Sequence, residues 1–574
     1  MKRILLIAAL GAATLLPRTA DAQVEKQVEV TKEYVPQIEQ AAKLPVAPDM
    51  TDTTRMRPEI TYTVTPLSLS SALEVQPIRP ATVTYWSFNR PLPFYLKVGA
   101  GYPLNSVLDF YAATQHPDTG YALAYINHAG RYADLRNCLG VENRATQMLN
   151  RAGVAAGKYI GRHVLETNLS YENRLYHRYG AYAAASAAEL LPAAPGSRID
   201  YGDAALTVRI GDDFEDLSRL NFDVSVGGNL FYDQSVWPLT EERPRQLNLF
   251  AAGKLAKAFG RHQLALEAGY ERLNGRRALA DYAEDLIHAA LRYGTEGRTI
   301  RFEAGIDYYY DRPKTDDNQH YIAPFLRFDL NLGTRAIRPF LEIDGTLQEN
   351  SYRALTRECP YVVPETWAPQ SSMNYNARLG LRGDLWRDRF AYRLYAALSV
   401  RDNHNYWYAI GQCNSAEQEI TAIYGVLGFL QARQTVTSFH GEAEFRPASA
   451  LVFDLGLHGY LYHDDPDLCN GSPAFEGRFG ARYTVKQVTF GLALTGRTAR
   501  KWTTFCFSEQ GAQEWQTIFT DSASLDLNFS IDWRVSGRFA IFAEGNNLLN
   551  QQRHSFPWYP DYGARFTAGI KLAF

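Results

Sequence analysis

The chain is poor in the features that mark nucleic-acid-binding proteins, redox enzymes and helical membrane proteins. It has five cysteines in 574 residues and no C-x-x-C pair, so neither a zinc ribbon nor a thioredoxin-like redox site is indicated. Its 59 basic and 62 acidic residues leave a net charge of −3, which excludes a global field that attracts nucleic acid. No apolar run of about 18 residues follows residue 22, which excludes membrane-spanning helices.

Catalytic signatures are missing as well. The sequence contains no G-x-S-x-G elbow, no H-E-x-x-H and no G-x-x-x-x-G-K-[ST] loop. A rim protease or lipase is the enzymatic alternative, because three histidines and one aspartate lie on or near adjacent predicted strands: His440, His458, His463 and Asp464. No spacing selects these residues as a unit. We therefore predict no catalysis, no cofactor and no bound metal.

What the sequence does contain is alternation with a period of two. Aromatic residues make up 13% of the chain, while the mean hydropathy is negative. A membrane-spanning β-strand needs roughly 9 to 11 residues with one face toward lipid and the other toward a polar lumen. Residues 565–574 meet this requirement and end on an aromatic residue, which resembles the C-terminal signature that outer-membrane barrels present to the barrel assembly machinery. We predict that this assembly signal consists of Phe566, Ile570, Leu572 and Phe574.

The same alternation recurs at 221–232, 301–311, 451–458 and 523–534. Charges at every second position are costly on a lipid face but are solvated in a water-filled interior. The pattern therefore favours a membrane barrel with a polar lumen over a soluble, secreted all-β protein. The lumen-facing candidates are Asp307, Asp526, Asp532, Arg534 and Arg565, whose simplest role is to pair with other charges across the interior.

Turn signals set the predicted topology. Short links near 386–389, 446–450 and 535–538 alternate with longer stretches near 350–372, 403–418, 499–517 and 547–561. Bacterial barrels have an even number of strands, short periplasmic turns and long extracellular loops. We therefore predict an all-β fold, a transmembrane antiparallel β-barrel of roughly 16–22 strands with both ends in the periplasm. The stretch 419–446 is either one bent strand or two.

The N-terminal region differs in character from the rest. Residues 1–22 combine a cationic start with a short apolar run and an A-x-A cleavage motif at Ala20-Asp21-Ala22, which is typical of a secretory signal peptide. Residues 23–91 are rich in proline and polar residues and lack a periodic run long enough for a packed core. We interpret them as an extended periplasmic tail or a segment threaded into the lumen. The predicted barrel then comprises residues 92–574.

The C-terminal part of the chain resembles a known family. The segment 539–550 (FAIFAEGNNLLN), the aromatic and proline-rich loop 556–560 and the final strand are similar to the end of the TonB-dependent receptor barrel. The resemblance implies a β-barrel in the outer membrane, with uptake of scarce ligands as the usual activity. The sequence departs from the family because 23–91 lacks a recognisable plug domain. Residues 28–31 (VEVT) weakly resemble the box that TonB binds.

The predicted loops hold three groups of candidate ligand residues. Flat aromatic side chains, which either stack on ligands or pack the loops over the mouth, are Trp237, Trp367, Trp407, Trp515 and Trp558. Two acidic clusters, at 212–216 and 463–467, lack EF-hand spacing, so solvated loop charge is favoured over a cation site. The cysteines Cys138, Cys359, Cys413, Cys469 and Cys506 are odd in number, so one or two loop disulfides leave at least one thiol over.

Two functions follow from these features. The one we favour is passage or uptake of a polar solute across the outer membrane of a Gram-negative bacterium, because a polar lumen is what such passage needs. The alternative is a structural or docking barrel whose periplasmic tail binds an envelope partner. The predicted partners are outer-membrane lipid, the barrel assembly machinery, and TonB or another periplasmic protein that contacts residues 23–91.

Overall fold

A computed structural model describes residues 92–114, 119–136, 140, 142–183, 198–237, 242–364, 370–414, 419–463, 471–508 and 513–574. The predicted signal peptide, the proline-rich segment and the box at 28–31 lie outside these residues, so the absence of a plug stays a prediction. No helix in the described part of the chain is both long and apolar enough to cross a bilayer.

Strands dominate the described residues. In chain order they are β1 (Phe94–Tyr102), β2 (Asn105–Ala113), β3 (Gly120–Arg131), β4 (Asp134–Arg136), β5 (Glu142–Arg144), β6 (Gln147–Ile160), β7 (His163–His177), β8 (Tyr182–Ala183), β9 (Arg198–Gly211), β10 (Asn221–Asp233), β11 (Arg245–Phe259), β12 (His262–Arg276), β13 (Ala283–Glu296), β14 (Ile300–Pro313), β15 (Gln319–Leu330), β16 (Arg338–Gln348), β17 (Ser372–Leu385), β18 (Phe390–Asn414), β19 (Glu419–Ala448), β20 (Leu451–Tyr462), β21 (Phe475–Val485), β22 (Val488–Arg497), β23 (Arg500–Phe507), β24 (Gln513–Asp521), β25 (Ser524–Arg534), β26 (Phe539–Asn546), β27 (His554–Phe556), β28 (Tyr559–Pro560) and β29 (Arg565–Ala573). A helix, α1 (Tyr352–Glu358), and a 3₁₀ turn (Arg277–Leu279) interrupt two of the links.

The sheet closes on itself. Each barrel strand pairs antiparallel with its neighbour, and β1 pairs with β29 from Tyr95↔Ala573 to Tyr102↔Phe566. The result is a closed antiparallel barrel of 22 strands, at the upper limit of the predicted range. The remaining strands, β4, β5, β8, β23, β24, β27 and β28, lie in the links between barrel strands.

Long and short links alternate around the barrel, as the turn signals predict. Two-residue links such as 161–162 and 260–261 lie at the rim where β1 begins and β29 ends, and the longest links lie at the opposite rim, called here the mouth. Some links depart from this rule: 103–104 is short and lies at the mouth, and 212–220 is longer and lies at the other rim. The stretch 419–446 belongs to one strand, β19. The predicted loop at 403–418 was wrong for most of its length, because β18 continues to Asn414 past a register shift between Arg401 and His404.

The strand extensions build a second layer of sheet at the mouth. The upper part of β18 pairs in parallel with β23, from Tyr408↔Thr503 to Gln412↔Phe507. Strand β23 pairs with β24, and β8 pairs with β19 at Ile423↔Tyr182. The predicted loop 499–517 is therefore largely a β-hairpin that docks against the β18–β19 ribbon.

The two faces of the barrel wall differ as the period-two alternation predicts. Large apolar side chains are exposed on the outer face all around the barrel, including Val98, Leu169, Leu249, Ile306, Leu379 and Phe439. Their neighbours along each strand face inward and carry most of the ion pairs. An apolar outside and a charged inside are the arrangement that a bilayer selects in a closed barrel.

The predicted assembly signal lies at the seam that closes the barrel. Phe566, Ile570 and Phe574 are 57%, 38% and 51% exposed on the outer face. The backbones of Phe94 and Phe574 exchange two hydrogen bonds of 3.0 Å, and their rings stack with centroids 5.2 Å apart.

Deletion of Phe574 should lower the yield of assembled barrel several-fold, because it removes both the last seam contact and the terminal aromatic residue that we expect the assembly machinery to read. Heat-modifiable mobility of membrane fractions on denaturing gels measures this yield. Phe94→Ala is the matched control: it removes the same ring contact, worth about 1 kcal/mol, and leaves the C-terminus intact. Equal losses in the two variants would show that the seam, and not a terminal signal, matters.

Candidate functional site: the charged lumen and the capped mouth

The inner wall carries charges in pairs between neighbouring strands. Asp307 on β14 is 2% exposed and accepts hydrogen bonds from Arg292 on β13 at 2.6 and 2.7 Å. His288 lies 3.1 Å from the same carboxylate. Further along the wall Arg209 contacts both Glu166 and Asp223 at 2.5 Å. Neighbouring strands thus neutralise each other's charge while the wall stays polar.

The other lumen-facing candidates occupy different environments. Asp532 pairs with Lys571. Asp526 pairs at 2.6 Å with Arg553, which belongs to the final long link, residues 547–564 between β26 and β29. Arg565 opens β29 at the mouth and is half-buried, whereas Arg534 is exposed at the end of β25, beside the short turn 535–538. The five candidates therefore line different levels of one wall and do not form a common site.

The main feature that the sequence did not predict is a cap over the mouth. It is formed by residues 349–364, which run inward from the end of β16. Helix α1 in this segment begins after Ser351, whose side chain accepts a hydrogen bond from the Ala354 amide at 3.3 Å. Such an N-cap satisfies an amide that the first turn leaves without a partner.

Two carboxylates of the wall anchor the cap helix. We call Asp203 and Glu172, together with the cap arginines Arg353 and Arg357 that they bind, the latch. Asp203 on β9 lies 2.8 Å from Arg353 and 2.8 Å from Arg357. Glu172 on β7 lies 3.1 Å from Arg357. Arg174, also on β7, donates to the carbonyl oxygen of Thr356 at 2.8 Å. Charge-assisted contacts of this kind fix one orientation of the helix against the wall.

Beyond the helix the cap reaches the other sides of the barrel. Tyr361 stacks on Tyr559 of the final long link, with ring centroids 3.7 Å apart. Val362 forms a parallel β-bridge with Leu427 on β19. Tyr201 on β9 donates to the carbonyl oxygen of Pro360 at 2.8 Å. Since these partners belong to well-separated strands, the cap crosses the mouth.

The cap packs into the main apolar core of the described chain, which lies at the mouth. The fully or nearly fully buried members of this core come from the cap, from other links and from strand ends, and include Tyr179, Ile199, Phe231, Trp237, Leu273, Leu279, Tyr352, Leu355, Cys359, Trp407, Leu427 and Phe556. A barrel wall has no such core, because its apolar side chains face lipid. The cap is thus held by the hydrophobic effect as well as by the latch.

One acidic residue of the cap lies in an environment that disfavours its charged form. Glu349 sits where the cap leaves β16, and its Oε2 atom is buried without a hydrogen-bond partner. Burial, followed by the proximity of Glu271, raises the pKa of Glu349 to about 7. The cap therefore includes a carboxyl group that changes charge near neutral pH.

The tryptophans at the mouth pack the loops together. Trp237 is 3% exposed and donates to Asp233 at 2.6 Å, and Trp407 is 2% exposed and donates to Glu358 at 2.7 Å. Trp558 is half-buried and donates to Thr504 at 3.1 Å. Trp367 and the side chain of Trp515 lie outside the described residues. Of the two roles weighed for these rings, packing is the one visible here.

No group of three or more histidine, cysteine, aspartate or glutamate side chains suited to a metal ion occurs among the described residues, and the carboxylates of the second acidic cluster lie outside them. In the first cluster Asp212 contacts His163 at 2.6 Å, and Asp213 accepts from the backbone of its own turn. Cys359 is buried in the cap, where desolvation raises the pKa of its thiol, so it acts as a small apolar group. Cys138 and Cys469 lie outside the described residues, and the disulfide expectation stays a prediction.

The histidines do not assemble into a catalytic set. His440 and His458 lie with their Nδ1 atoms 2.7 Å apart, and His440 also contacts Ser438 at 2.9 Å. His463 instead contacts Thr437 at 3.0 Å. Within the described residues no carboxylate orients either member of the pair, and Asp464 lies outside them.

Comparison with known proteins gives the architecture a context. No protein-family model and no curated protein sequence matches the chain. Among solved structures, the FrpB iron transporter from Neisseria meningitidis superposes with a TM-score of 0.64 at 10% identity, covering 85% of this chain and 82% of that one. FpvA of P. aeruginosa, bound to a heterologous pyoverdine, gives 0.61 at 9% identity, with 84% and 72% covered. The copper transporter OprC gives 0.58 at 13% identity, with 84% and 80% covered.

These matches agree with the resemblance noted in the last strands. They extend it from the C-terminal segment to more than four fifths of the chain. At this level of identity they establish the fold. The chain has the 22-strand outer-membrane barrel fold found in TonB-dependent receptors.

Proposed function

We propose that this protein takes up a polar solute across the outer membrane of a Gram-negative bacterium, through its lumen and past the cap. The observation that carries the proposal is the cap itself, a loop segment held across the mouth of a charged barrel by the latch, by a β-bridge to β19 and by apolar packing. A barrel that served only as an anchor has no need of a closed mouth. The superposed iron and copper transporters support the same class of activity.

The lumen wall suits a polar cargo. Ion pairs such as Arg292 with Asp307 leave no large net charge on the wall, so a hydrated solute meets donors and acceptors without meeting one dominant sign. A 22-strand barrel is wide enough to hold a lumen unless something fills it.

Opening is the step that needs energy, and we infer that it comes from the periplasmic side. The segment 23–91 is the part of the chain predicted to contact TonB or another envelope protein. Conductance of the chain from residue 23, compared in planar bilayers with a chain that lacks 23–91, tests this division of roles. Steady conductance of the longer chain would show a passive pore, and conductance of the shorter chain alone would show that 23–91 closes the lumen. Silence of both chains is expected if the cap alone closes the mouth, and the variants below then separate a gating cap from a docking barrel.

Weakening the latch should open the cap. The double variant Glu172→Gln/Asp203→Asn removes the charges that hold Arg353 and Arg357, a loss of about 1–3 kcal/mol. We expect openings in planar bilayers to become roughly tenfold more frequent. Glu267→Gln, which breaks a 2.8 Å wall pair with Lys254, is the matched control and should leave the frequency unchanged. Equal effects would show that the wall, and not the latch, controls opening.

Locking the cap should do the opposite. Bridged residues lie close enough for a disulfide, so Val362→Cys/Leu427→Cys should tie the cap to β19. Under oxidising conditions we expect solute uptake by cells to fall to background and to recover after reduction. Each single variant serves as a control for mispairing with native cysteines. Full uptake in the locked double variant would contradict a gating cap.

The closed cap should be less stable above neutral pH. Because the raised pKa of Glu349 makes the closed state bind more protons between about pH 4.5 and pH 7, stability is lost as pH rises through 7, by up to about 3 kcal/mol. Openings should therefore be rarer at pH 5.5 than at pH 8 when measured in planar bilayers. Glu349→Gln should flatten this dependence, and an unchanged slope in that variant would rule out Glu349 as its source.

A further inference from the structure

A buried arginine at the mouth has no anionic partner among the residues that the structure describes. Arg178 follows β7 and is 1% exposed. Its Nη2 atom donates to the carbonyl oxygen of Val236 at 3.0 Å, but its Nε and Nη1 atoms are buried without any hydrogen-bond partner. Two of its three nitrogens are therefore unsatisfied.

A comparable arginine elsewhere in the mouth has a carboxylate partner, although its Nε atom, like that of Arg178, is buried without a hydrogen bond. Arg500 is 2% exposed and lies over the ring of Trp502 at 4.6 Å, much as Arg178 lies over Trp237 at 5.7 Å. Arg500, however, also contacts the carboxylate of Asp521 at 3.1 Å. The two sites share a buried guanidinium and an indole, and they differ in the anion.

The nearby carboxylate is already engaged. Asp233 accepts hydrogen bonds from Trp237 at 2.6 Å, from Tyr352 at 2.8 Å and from the Ser235 amide at 2.7 Å. In the part of the chain that the structure describes, no carboxylate lies within ion-pairing distance of Arg178. Burial of a guanidinium is costly unless it is paired, so an anion supplied by a solute would compensate a charge that no described carboxylate compensates.

The chemistry of the site defines that group. A guanidinium presents N–H donors in a planar fork that matches the two oxygens of a carboxylate or a phosphate. The aromatic residue Trp237 lies beside Arg178 and lowers the local polarity, which strengthens a charge-assisted bond. The side chain of Val236, whose carbonyl holds Arg178, is 64% exposed, so the site lies close beneath the outer surface of the mouth.

We propose that Arg178 binds an oxyanion, a carboxylate or phosphate group, of the solute that enters the mouth. This inference rests on the proposed function and gives the solute a chemical class. Binding at Arg178 would couple solute recognition to the cap, because Tyr352 of the cap helix and Trp237 share the carboxylate of Asp233.

Thermal unfolding of the full chain in detergent tests the site. The midpoint is measured against increasing sodium phosphate and, separately, sodium acetate, with chloride adjusted to constant ionic strength and pH. A ligand that binds only the folded state raises the midpoint with concentration, and we expect this rise for at least one of the two anions. The arm that shows the larger rise identifies the oxyanion as phosphate or carboxylate.

Two variants of Arg178 locate the effect. Arg178→Met should abolish the rise, and its midpoint in chloride alone should not fall, because an unpaired buried charge has been removed. Arg178→Lys keeps the positive charge but loses the planar pair of N–H donors, so the unfolding midpoint should rise less with anion concentration. This second variant keeps the proposal testable if the methionine variant does not fold.

Arg500→Met is the matched control. It leaves Asp521 without one of its buried partners, so the midpoint in chloride should fall while the rise with anion is retained. No rise in the unchanged protein with either anion, or a rise that survives Arg178→Met, would overturn the proposal. Because binding is measured without transport, its failure is separable from failure of the conductance test.

Discussion

Closure of the hydrogen-bond ladder between β1 and β29 is the constraint on which the rest of the structure depends. In a bilayer each backbone amide and carbonyl must find its partner within the protein, and an open sheet edge would leave a whole strand unsatisfied. The pairing from Tyr95↔Ala573 to Tyr102↔Phe566 removes that edge. Once the wall closes, one face of each strand is committed to lipid and the other to the interior.

The side chains of the interior are then stabilised in different ways along the wall and at the mouth. Along the wall, charges neutralise each other on neighbouring strands, as Arg292 does with Asp307, so no compact core is required. At the mouth, the cap gathers an apolar core of the usual soluble kind, with Tyr361 and Leu355 among its members. The latch connects the charged wall to the apolar core at the mouth, since Asp203 belongs to the wall and Arg353 to the cap.

Much of the wall can be predicted from the sequence, and little of the cap can. Period two is a local property, so residues such as Phe566 and Ile570 predict their own outward orientation. The stretch 403–414 looked like a loop because its polar residues break the alternation, although pairing with β19 above the membrane keeps it extended. Helix α1 has seven residues, and its contacts with Asp203 and Glu172 span more than a hundred positions. A serine N-cap at Ser351 is the one local signal of that helix.

The unequal length of the strands makes the mouth asymmetric. Strands β1 and β2 have nine residues each and are joined by a two-residue link, so they extend about 30 Å and end near the membrane surface. Strands β18 and β19 have 25 and 30 residues, which corresponds to about 80–100 Å of extended chain. The upper part of this ribbon lies against the cap, where Trp407 and Leu427 are buried in the core at the mouth. The β18–β19 side therefore contributes strand residues to the cover of the mouth, whereas the β1–β2 side contributes only a two-residue turn.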